Sequence, residues 1–209
     1  MIRYLAVVLA ALVLPAAAGP TATVEPAVLS PDDRADIGRI EAYLNDVTTF
    51  ESRFLQIGET GMAQGQMYLS RPGKMRVEYD PPVPVLMVAS APWVMYHDSK
   101  LKQTSFIPIS RTPAAFLLRE TIDLDEGLVI TGFERGYSAL RLTVVTTANP
   151  DAGSLTLVME DRPLRLVKWT VMDAQGKRIE VALLDPRFGV ELNDEMFSIV
   201  DPNLREGRN

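Results

Sequence analysis

Few residues in this chain are of the types that carry catalytic or metal chemistry. There is no cysteine and a single histidine, His97, which excludes thiolate chemistry and metal sites built from several histidines. His97 is followed by Asp98, and a serine hydrolase would need a serine to converge on this pair. None of the neighbouring serines stands in a G-x-S-x-G turn. We therefore expect His97 to lie in a surface turn and the protein not to be an enzyme.

A group of carboxylates at Asp123, Asp125 and Glu126 is the second place where chemistry is conceivable. Calcium is the ion that such side chains would bind, but their spacing does not follow the D-x-D-x-D-G pattern of a calcium loop. The pattern favours a solvated turn, and we predict no metal and no cofactor.

Arg71 has an unusual position in the sequence. It shares odd parity with the apolar residues of two adjoining strand patterns, Met67, Leu69, Met75, Val77 and Tyr79. If the alternation survives Pro72 and Gly73, Arg71 points to the apolar side, where a charge needs hydrogen bonds. Carbonyls at a helix end are natural acceptors for a guanidinium, so Arg71 would hold a helix over the sheet. If the phase is reset, Arg71 is a solvated residue at a strand end, and the pattern alone does not decide.

One helix is predicted together with its start. Ser30 is the expected N-cap, Pro31 fits the first helical position, and Asp33 stands where the acid of a capping box belongs. An apolar stripe follows at spacings of three, four and three, formed by Ile37, Ile40, Leu44 and Val47. These features predict an amphipathic helix of about 16–18 residues.

A second helix is predicted over residues 112–119, with Thr112 as cap and Pro113 at the first position. The rest of the chain has the short alternating patterns of strands. In the second half these are residues 129–133, 140–147, 154–160, 164–172 and 178–184. Turns are predicted at Gly58–Gly65 and at residues 174–176. The fold class is therefore mainly β within α+β, an antiparallel sheet with helices on one face.

Residues 1–18 have the pattern of an export signal. Arg3 supplies the positive start, and the ten apolar residues from Leu5 to Leu14 are too few to span a bilayer. Residues 16–18 are three alanines, the small-residue pattern of a cleavage site. We predict export with cleavage near Ala18; an uncleaved N-terminal anchor is the alternative.

Two further regions are predicted beyond the signal. Residues 19–30 contain two prolines and no apolar period, which indicates a mobile leader, and residues 31–205 form a single domain. The chain has 21 basic and 27 acidic residues, a net charge of −6. A nucleic-acid-binding protein usually has a basic surplus, so this class of partner is not expected.

The segment from Ser70 to Pro82 resembles that of a known family. It reads SRPGKMRVEYDPP and is similar to the R-P-G-K-F-R-W-E-Y-x-x-P segment of the outer-membrane lipoprotein carrier family, LolA. The features that follow have a similar order: an apolar strand, an aromatic strand with a tyrosine, a T-P-x-x-x-L-L segment and an ending from Phe197 to Pro202. The resemblance spans residues 32–202.

The resemblance implies an unclosed antiparallel β-barrel of about eleven strands with a helical lid. It also implies a periplasmic protein whose cavity takes the acyl chains of a lipoprotein. The partners would be an inner-membrane ABC transporter that releases the lipoprotein and an outer-membrane acceptor that receives it. We expect this protein to be a monomer.

The resemblance also assigns candidate residues. The family's arginine of the R-P motif, which holds the lid shut through hydrogen bonds to backbone carbonyls, falls on Arg71. The aromatic cavity residues of the motif fall on Met75 and Val77, so the cavity would stay apolar with less ring area. The expected acyl-chain cavity residues are Met67, Leu69, Met75, Val77, Tyr79, Leu86, Val88, Trp93, Met95, Phe116 and Leu117.

Two functions remain open. The first is a carrier that delivers lipoproteins from the inner to the outer membrane. The second is a periplasmic lipid-binding protein or envelope-stress sensor of the same fold, with a different lipid ligand. Sensors of this kind often carry a second domain, so the single-domain length favours the carrier.

Overall fold

The structure is a computed structural model that describes residues 24–112 and 115–202. The predicted export signal, the first part of the leader and Pro113 lie outside the described residues. Residues 24–30 have no regular structure. Within them, the Ala27 N–H donates to the Ile130 carbonyl at 2.8 Å, and Leu29 packs against the core.

The predicted first helix is confirmed as α1 (Pro31–Asp46). Its capping box is formed as expected, because the Asp33 N–H donates to the Ser30 hydroxyl at 3.1 Å and the Ser30 N–H donates to the Asp33 carboxylate at 3.0 Å. Three residues of the apolar stripe are buried against the sheet: Ile37, Ile40 and Leu44. Within residues 24–112 and 115–202, no helix has the length and apolar character needed to span a bilayer.

Eleven antiparallel strands form one sheet, which confirms the predicted fold class. The strands are β1 (Thr49–Gly58), β2 (Gly61–Ser70), β3 (Lys74–Tyr79), β4 (Val85–Ser90), β5 (Trp93–Asp98), β6 (Gln103–Pro108), β7 (Leu128–Arg135), β8 (Ala139–Thr146), β9 (Gly153–Asp161), β10 (Leu164–Asp173) and β11 (Arg178–Phe188). Their order is β6-β5-β4-β3-β2-β1-β11-β10-β9-β8-β7. Among the described strands, β6 and β7 each pair on one side only, so the barrel stays unclosed.

The two faces of the sheet bury different sets of side chains. The inner face, which we define as the face toward α1, carries the main core, including Phe54, Met67 and Leu157. The outer face carries a smaller cluster in which Phe197, from the 3₁₀ turn Asp194–Phe197, covers β4 and β5. The C-terminal segment therefore covers the face opposite to the one that α1 covers.

The predicted second helix is a single 3₁₀ turn, Ala115–Leu118. Phe116 and Leu118 are both buried. An α-helix would not place residues two apart on one face, whereas this turn buries both. The Thr112 hydroxyl donates to the Ile109 carbonyl at 2.8 Å, and the Ala115 N–H donates to the Thr112 carbonyl at 3.1 Å. The prediction of a helix over residues 112–119 is therefore wrong in type and extent.

Gly65 lies inside β2 and not in a turn, so the predicted turn Gly58–Gly65 is wrong; the strands connect at Gly58–Gly61. In the sheet register Gly65 stands between Phe54 of β1 and Tyr79 of β3, whose rings meet edge to face at 5.2 Å. A Cβ at Gly65 would collide with the backbone carbonyl of Glu78 and lie 2.7 Å from the Phe54 ring, so the close approach of β3 and the ring requires glycine.

Replacing Gly65 by Ala is expected to lower the free energy of unfolding by at least about 1–3 kcal/mol, the cost of overpacking a core. Urea denaturation followed by circular dichroism measures it. The matched control is Gly38→Ala on α1, where a Cβ would meet nothing within 4 Å. This control should gain about 0.5–1 kcal/mol from helix propensity. Equal stability of the two variants would contradict the packing at Gly65.

Candidate functional site

An apolar cavity lies between the inner face of the sheet and the elements that cover it. It is lined by Tyr43, Leu44, Val47, Phe50, Met67, Leu69, Arg71, Met75, Leu117, Leu118, Leu166, Trp169 and Phe188. Its volume is about 50 Å³. Ligand pockets typically measure about 300–1,000 Å³, so this cavity is much smaller than a typical ligand pocket. A ligand of lipid size fits only if the cover moves away from the sheet.

The predicted cavity residues fall into three groups. Those that line the cavity are Met67, Leu69, Met75 and Leu117. Those that belong to the same core without lining the cavity are Val77, Tyr79 and Phe116. The others do not line the cavity: Leu86 and Val88 of β4, and Trp93 and Met95 of β5.

The expectation that Leu86, Val88 and Met95 line the cavity is wrong. They belong to the cluster on the outer face, under Phe197. In β4 every residue from Val85 to Ala89 is apolar because both faces of this strand are covered, so alternation could not show which residues point inward.

Trp93 is also not a cavity residue. It lies at the start of β5, is 42% exposed, and lines a shallow surface groove with Pro92 and Pro108. Trp93 and Met95 have the same parity, whereas Val94, between them, is the residue that enters the main core. Because β5 is apolar on both faces, its sequence pattern does not reveal which of its residues point toward the main core.

Aromatic residues that the sequence analysis missed make up much of the cavity wall. Phe50 on β1 pairs in register with Phe188 on β11, and their rings lie 5.9 Å apart. Tyr43 on α1 meets the Phe188 ring edge to face at 6.3 Å. Trp169 on β10 completes this side. The pairing of β1 with β11, which brings the rings together, links residues far apart in the chain and leaves no local signal.

Arg71 lies beneath the C-terminal end of α1, which is the inward alternative of the two that the sequence left open. Its Nε donates to the Val47 carbonyl at 2.8 Å, and Nη2 donates to the carbonyls of Asn45, at 3.0 Å, and Leu44. Nη1 reaches the Arg119 carbonyl at 3.4 Å. One side chain, in the turn between β2 and β3, therefore contacts both the end of α1 and the segment that follows the 3₁₀ turn Ala115–Leu118.

The electrostatics of α1 favour a cation at this place. The last carbonyls of a helix lack internal partners and carry the negative end of the helix dipole. The last turn of α1 has no basic residue of its own, so Arg71 supplies the charge from the turn between β2 and β3. Burial lowers the pKa of Arg71, but a guanidinium remains protonated in proteins.

Side chains of α1 join the helix to the second covering segment. Asn45 donates to the Ile122 carbonyl and accepts from the Ile122 N–H, both at 2.8 Å. The Glu41 carboxylate accepts from the Leu124 N–H at 2.8 Å. Because α1 and residues 115–126 form one covering layer, we name the two together the lid.

Ion pairs hold the other half of α1 to the sheet. Arg135 of β7 donates to Asp36 at 3.0 Å, and Arg39 reaches Asp161, at the end of β9, at 3.1 Å. Burial opposes ionisation of Asp36, but the hydrogen bonds from Arg135 and Arg39 outweigh it and lower its pKa. Exposed ion pairs stabilise weakly, so these contacts orient α1 more than they hold it down.

The two remaining candidates for chemistry have structural surroundings. His97 is buried on β5, so the prediction of a surface turn is wrong; its Nδ1 lies 2.9 Å from the Thr104 hydroxyl, which donates to Asp201. Asp123 accepts from two backbone N–H groups of an exposed turn, as predicted. No group of three or more potential ligand side chains within the described part of the chain could hold a metal ion.

Comparison with known proteins identifies the family. Residues 45–200 match the sequence profile described as "Outer membrane lipoprotein carrier protein LolA". The chain belongs to the LolA family. Two curated relatives are each named outer-membrane lipoprotein carrier protein. The relative from Chromohalobacter salexigens is 29% identical and covers 81% of this chain and 86% of its own length. The relative from Methylococcus capsulatus is 24% identical and covers 78% of this chain and 83% of its own length.

The fold extends to more distant proteins. A DUF1329 family protein from Desulfovibrio piger has a solved structure that matches with a TM-score of 0.51 at 10% identity. The match covers 78% of this chain and 95% of the other. At this identity the likeness concerns the fold alone.

Replacing Arg71 by Leu in this LolA-family protein is expected to loosen the lid, because the last carbonyls of α1 lose their donors. Losing such contacts costs about 1–3 kcal/mol. Amides in the last turn of α1 should therefore exchange with solvent deuterium about 5- to about 150-fold faster than in the wild type. Hydrogen exchange detected by NMR or mass spectrometry measures the change.

The matched control for this experiment is Arg76→Leu. Arg76 is also half-buried and donates to a backbone carbonyl, that of Met196 at 2.9 Å, but on the outer face. Amide exchange in α1 should stay at the wild-type rate in this variant. The same acceleration in both variants would indicate a general loss of stability and contradict a specific role of Arg71 at the lid.

Proposed function

We propose that this protein is a periplasmic carrier that binds the acyl chains of lipoproteins and delivers them from the inner to the outer membrane. The observation that carries the proposal is the closed apolar cavity beneath a lid that Arg71 contacts with hydrogen bonds. Membership of the LolA family and the names of the two curated relatives support it. The partners in this proposal are an ABC transporter that releases lipoproteins and an outer-membrane acceptor.

The physical need for such a cavity follows from the chemistry of the cargo. Exposing an acyl chain to water costs about 0.8 kcal/mol per CH₂, so a chain with about 15 of them resists exposure by roughly 12 kcal/mol. A carrier that crosses water must therefore enclose the chain. Met67 and Met75 suit this role, since flexible thioether side chains adapt to chains of different shape.

Release of the cargo depends on the lid. The closed cavity of about 50 Å³ has no room for an acyl chain, so binding must displace the lid and break contacts such as those of Arg71. Lid closure and cargo binding then compete for the same inner face, and the free energy needed to open the lid reduces the net free energy of cargo binding. In the proposed mechanism this competition keeps a very apolar ligand releasable.

A release assay tests the proposed function. Spheroplasts that retain lipoproteins in their inner membrane are incubated with the purified chain lacking residues 1–18, and the supernatant is probed for a soluble lipoprotein complex. The wild type and the Arg76→Leu control should release lipoprotein. Arg71→Leu should change the amount released or block onward transfer to outer-membrane vesicles, because the balance between lid closure and cargo binding is altered.

Two outcomes would contradict parts of this proposal. Absence of release by the wild type, with phospholipid found in the purified protein, would favour a carrier or sensor of another lipid. Normal release and transfer by Arg71→Leu would contradict a role of Arg71 in cargo handling while leaving the carrier function standing.

A further inference from the structure

The cavity wall contains a hydroxyl group that lacks a partner. Tyr43 lines the cavity, and its buried phenol oxygen makes no hydrogen bond within residues 24–112 and 115–202. Burial raises the pKa of this phenol, and the Leu166 backbone N–H, which approaches the phenol oxygen as a weak donor, opposes the shift less strongly. The group is therefore a neutral O–H whose proton has no acceptor among the residues that the structure describes. Buried hydroxyl groups normally have partners, so this exception calls for an explanation.

Tyr43 lies at the side of the cavity where the wall is partly exposed to solvent, which we call the rim. Its ring packs edge to face on Phe188, which is 37% exposed. Leu44 and Val47, which follow Tyr43 on the same side of α1, line the cavity further toward Arg71. A ligand that fills the cavity would thus leave it past the hydroxyl of Tyr43.

The sheet opens beside this rim. β10 and β11 pair only between residues 168–172 and 178–182. Beyond Lys168, residues 164–166 still pair with β9, and residues 183–188 of β11 remain along β1. The two strands therefore diverge toward this end of the sheet.

A polar groove of about 460 Å³ occupies the space between the diverging strands. Its charged side chains are Arg165, Asp185 and Arg187. Leu166 lines both this groove and the apolar cavity, and its backbone lies near the Tyr43 hydroxyl. From the cavity outward, the surface therefore changes from the apolar wall to the Tyr43 hydroxyl, which is a hydrogen-bond donor, and then to the polar groove.

An acyl ester presents the same order of chemistry: an apolar chain, a carbonyl oxygen that can only accept, and a polar remainder. We propose that the hydroxyl of Tyr43 donates a hydrogen bond to the carbonyl oxygen of an acyl ester, with the chain in the cavity and the polar part in the groove between β10 and β11. This inference rests on the proposed carrier function and adds a binding contact to it. The ester is common to lipoproteins and phospholipids.

The test compares ester-linked with ether-linked probes. A synthetic diacylglyceryl lipopeptide and its dialkyl-ether analogue, which lacks the carbonyl oxygens, are titrated into the wild type and into Tyr43→Phe. This substitution keeps the ring on Phe188 and removes only the hydroxyl. The wild type should bind the ester about two- to about tenfold more tightly than the ether, the range for one neutral hydrogen bond, and the variant should bind both alike.

Tyr68→Phe is the matched control, because Tyr68 is a half-buried tyrosine that packs on the outer face. It should keep the wild-type preference for the ester. A second measurement is the melting temperature of Tyr43→Phe without ligand. It should change little, since the hydroxyl donates to no group in the described structure and loses only the weak contact with the Leu166 backbone; a clear fall would indicate a structural hydrogen bond and overturn the inference.

The outcomes distinguish the contact of Tyr43 from the carrier function on which it rests. Binding of both probes with the same ratio in the wild type and in Tyr43→Phe would overturn the role of Tyr43 and leave the carrier function intact. Failure of the wild type to bind either lipopeptide would overturn the carrier function. A parallel pair, diacyl phosphatidylglycerol and its ether analogue, identifies the source: an ester preference confined to this pair would keep the contact of Tyr43 and overturn lipoprotein as the cargo.

Discussion

An open sheet of eleven strands has an apolar inner face that water must not reach, and this constraint shapes the rest of the molecule. A closed barrel would bury such a face by itself, whereas here β6 and β7 remain separate edges. The cover must therefore be a separate element, and the amphipathic helix α1 supplies most of it. A helix packed in this way brings its unpaired terminal carbonyls to the sheet, where they need donors. Arg71 meets this need and at the same time contacts the segment that follows the 3₁₀ turn Ala115–Leu118.

The lid covers the inner face without filling the space beneath it completely. Different interactions act at the two ends of α1. Ion pairs between exposed arginines and half-buried aspartates orient its first half, and hydrogen bonds from the half-buried Arg71 hold its C-terminal end. The wall below the lid is mainly apolar and suits apolar ligand groups. Its polar groups include the Arg71 guanidinium at the end of α1 and the Tyr43 hydroxyl, and the polar groove lies on the far side of Leu166.

Local patterns were sufficient to predict some parts of this architecture. The capping residues Ser30 and Asp33 and the alternation in β3 act between near neighbours, so they are visible in a single sequence and appear in the structure as expected. Where both faces of a strand are covered, as in β4, alternation disappears and the assignment of Val88 to the cavity failed. The wall formed by Phe50 and Phe188 depends on pairing between distant strands, which one sequence does not encode in any local signal.

The strand order also determines when the cavity can exist during folding. Strands β1 to β6 form one run of local hairpins and β7 to β11 form another, and β1 with β11 is the single seam between them in the described sheet. Met67 and Met75 belong to the first run, whereas Leu166 and Trp169 belong to the second. Pairing across such a long loop is entropically costly and slow compared with hairpin formation. We therefore expect the cavity to form late in folding, since its lining residues come from both runs of hairpins and its wall is complete only when Phe188, at the end of the last strand, meets Phe50.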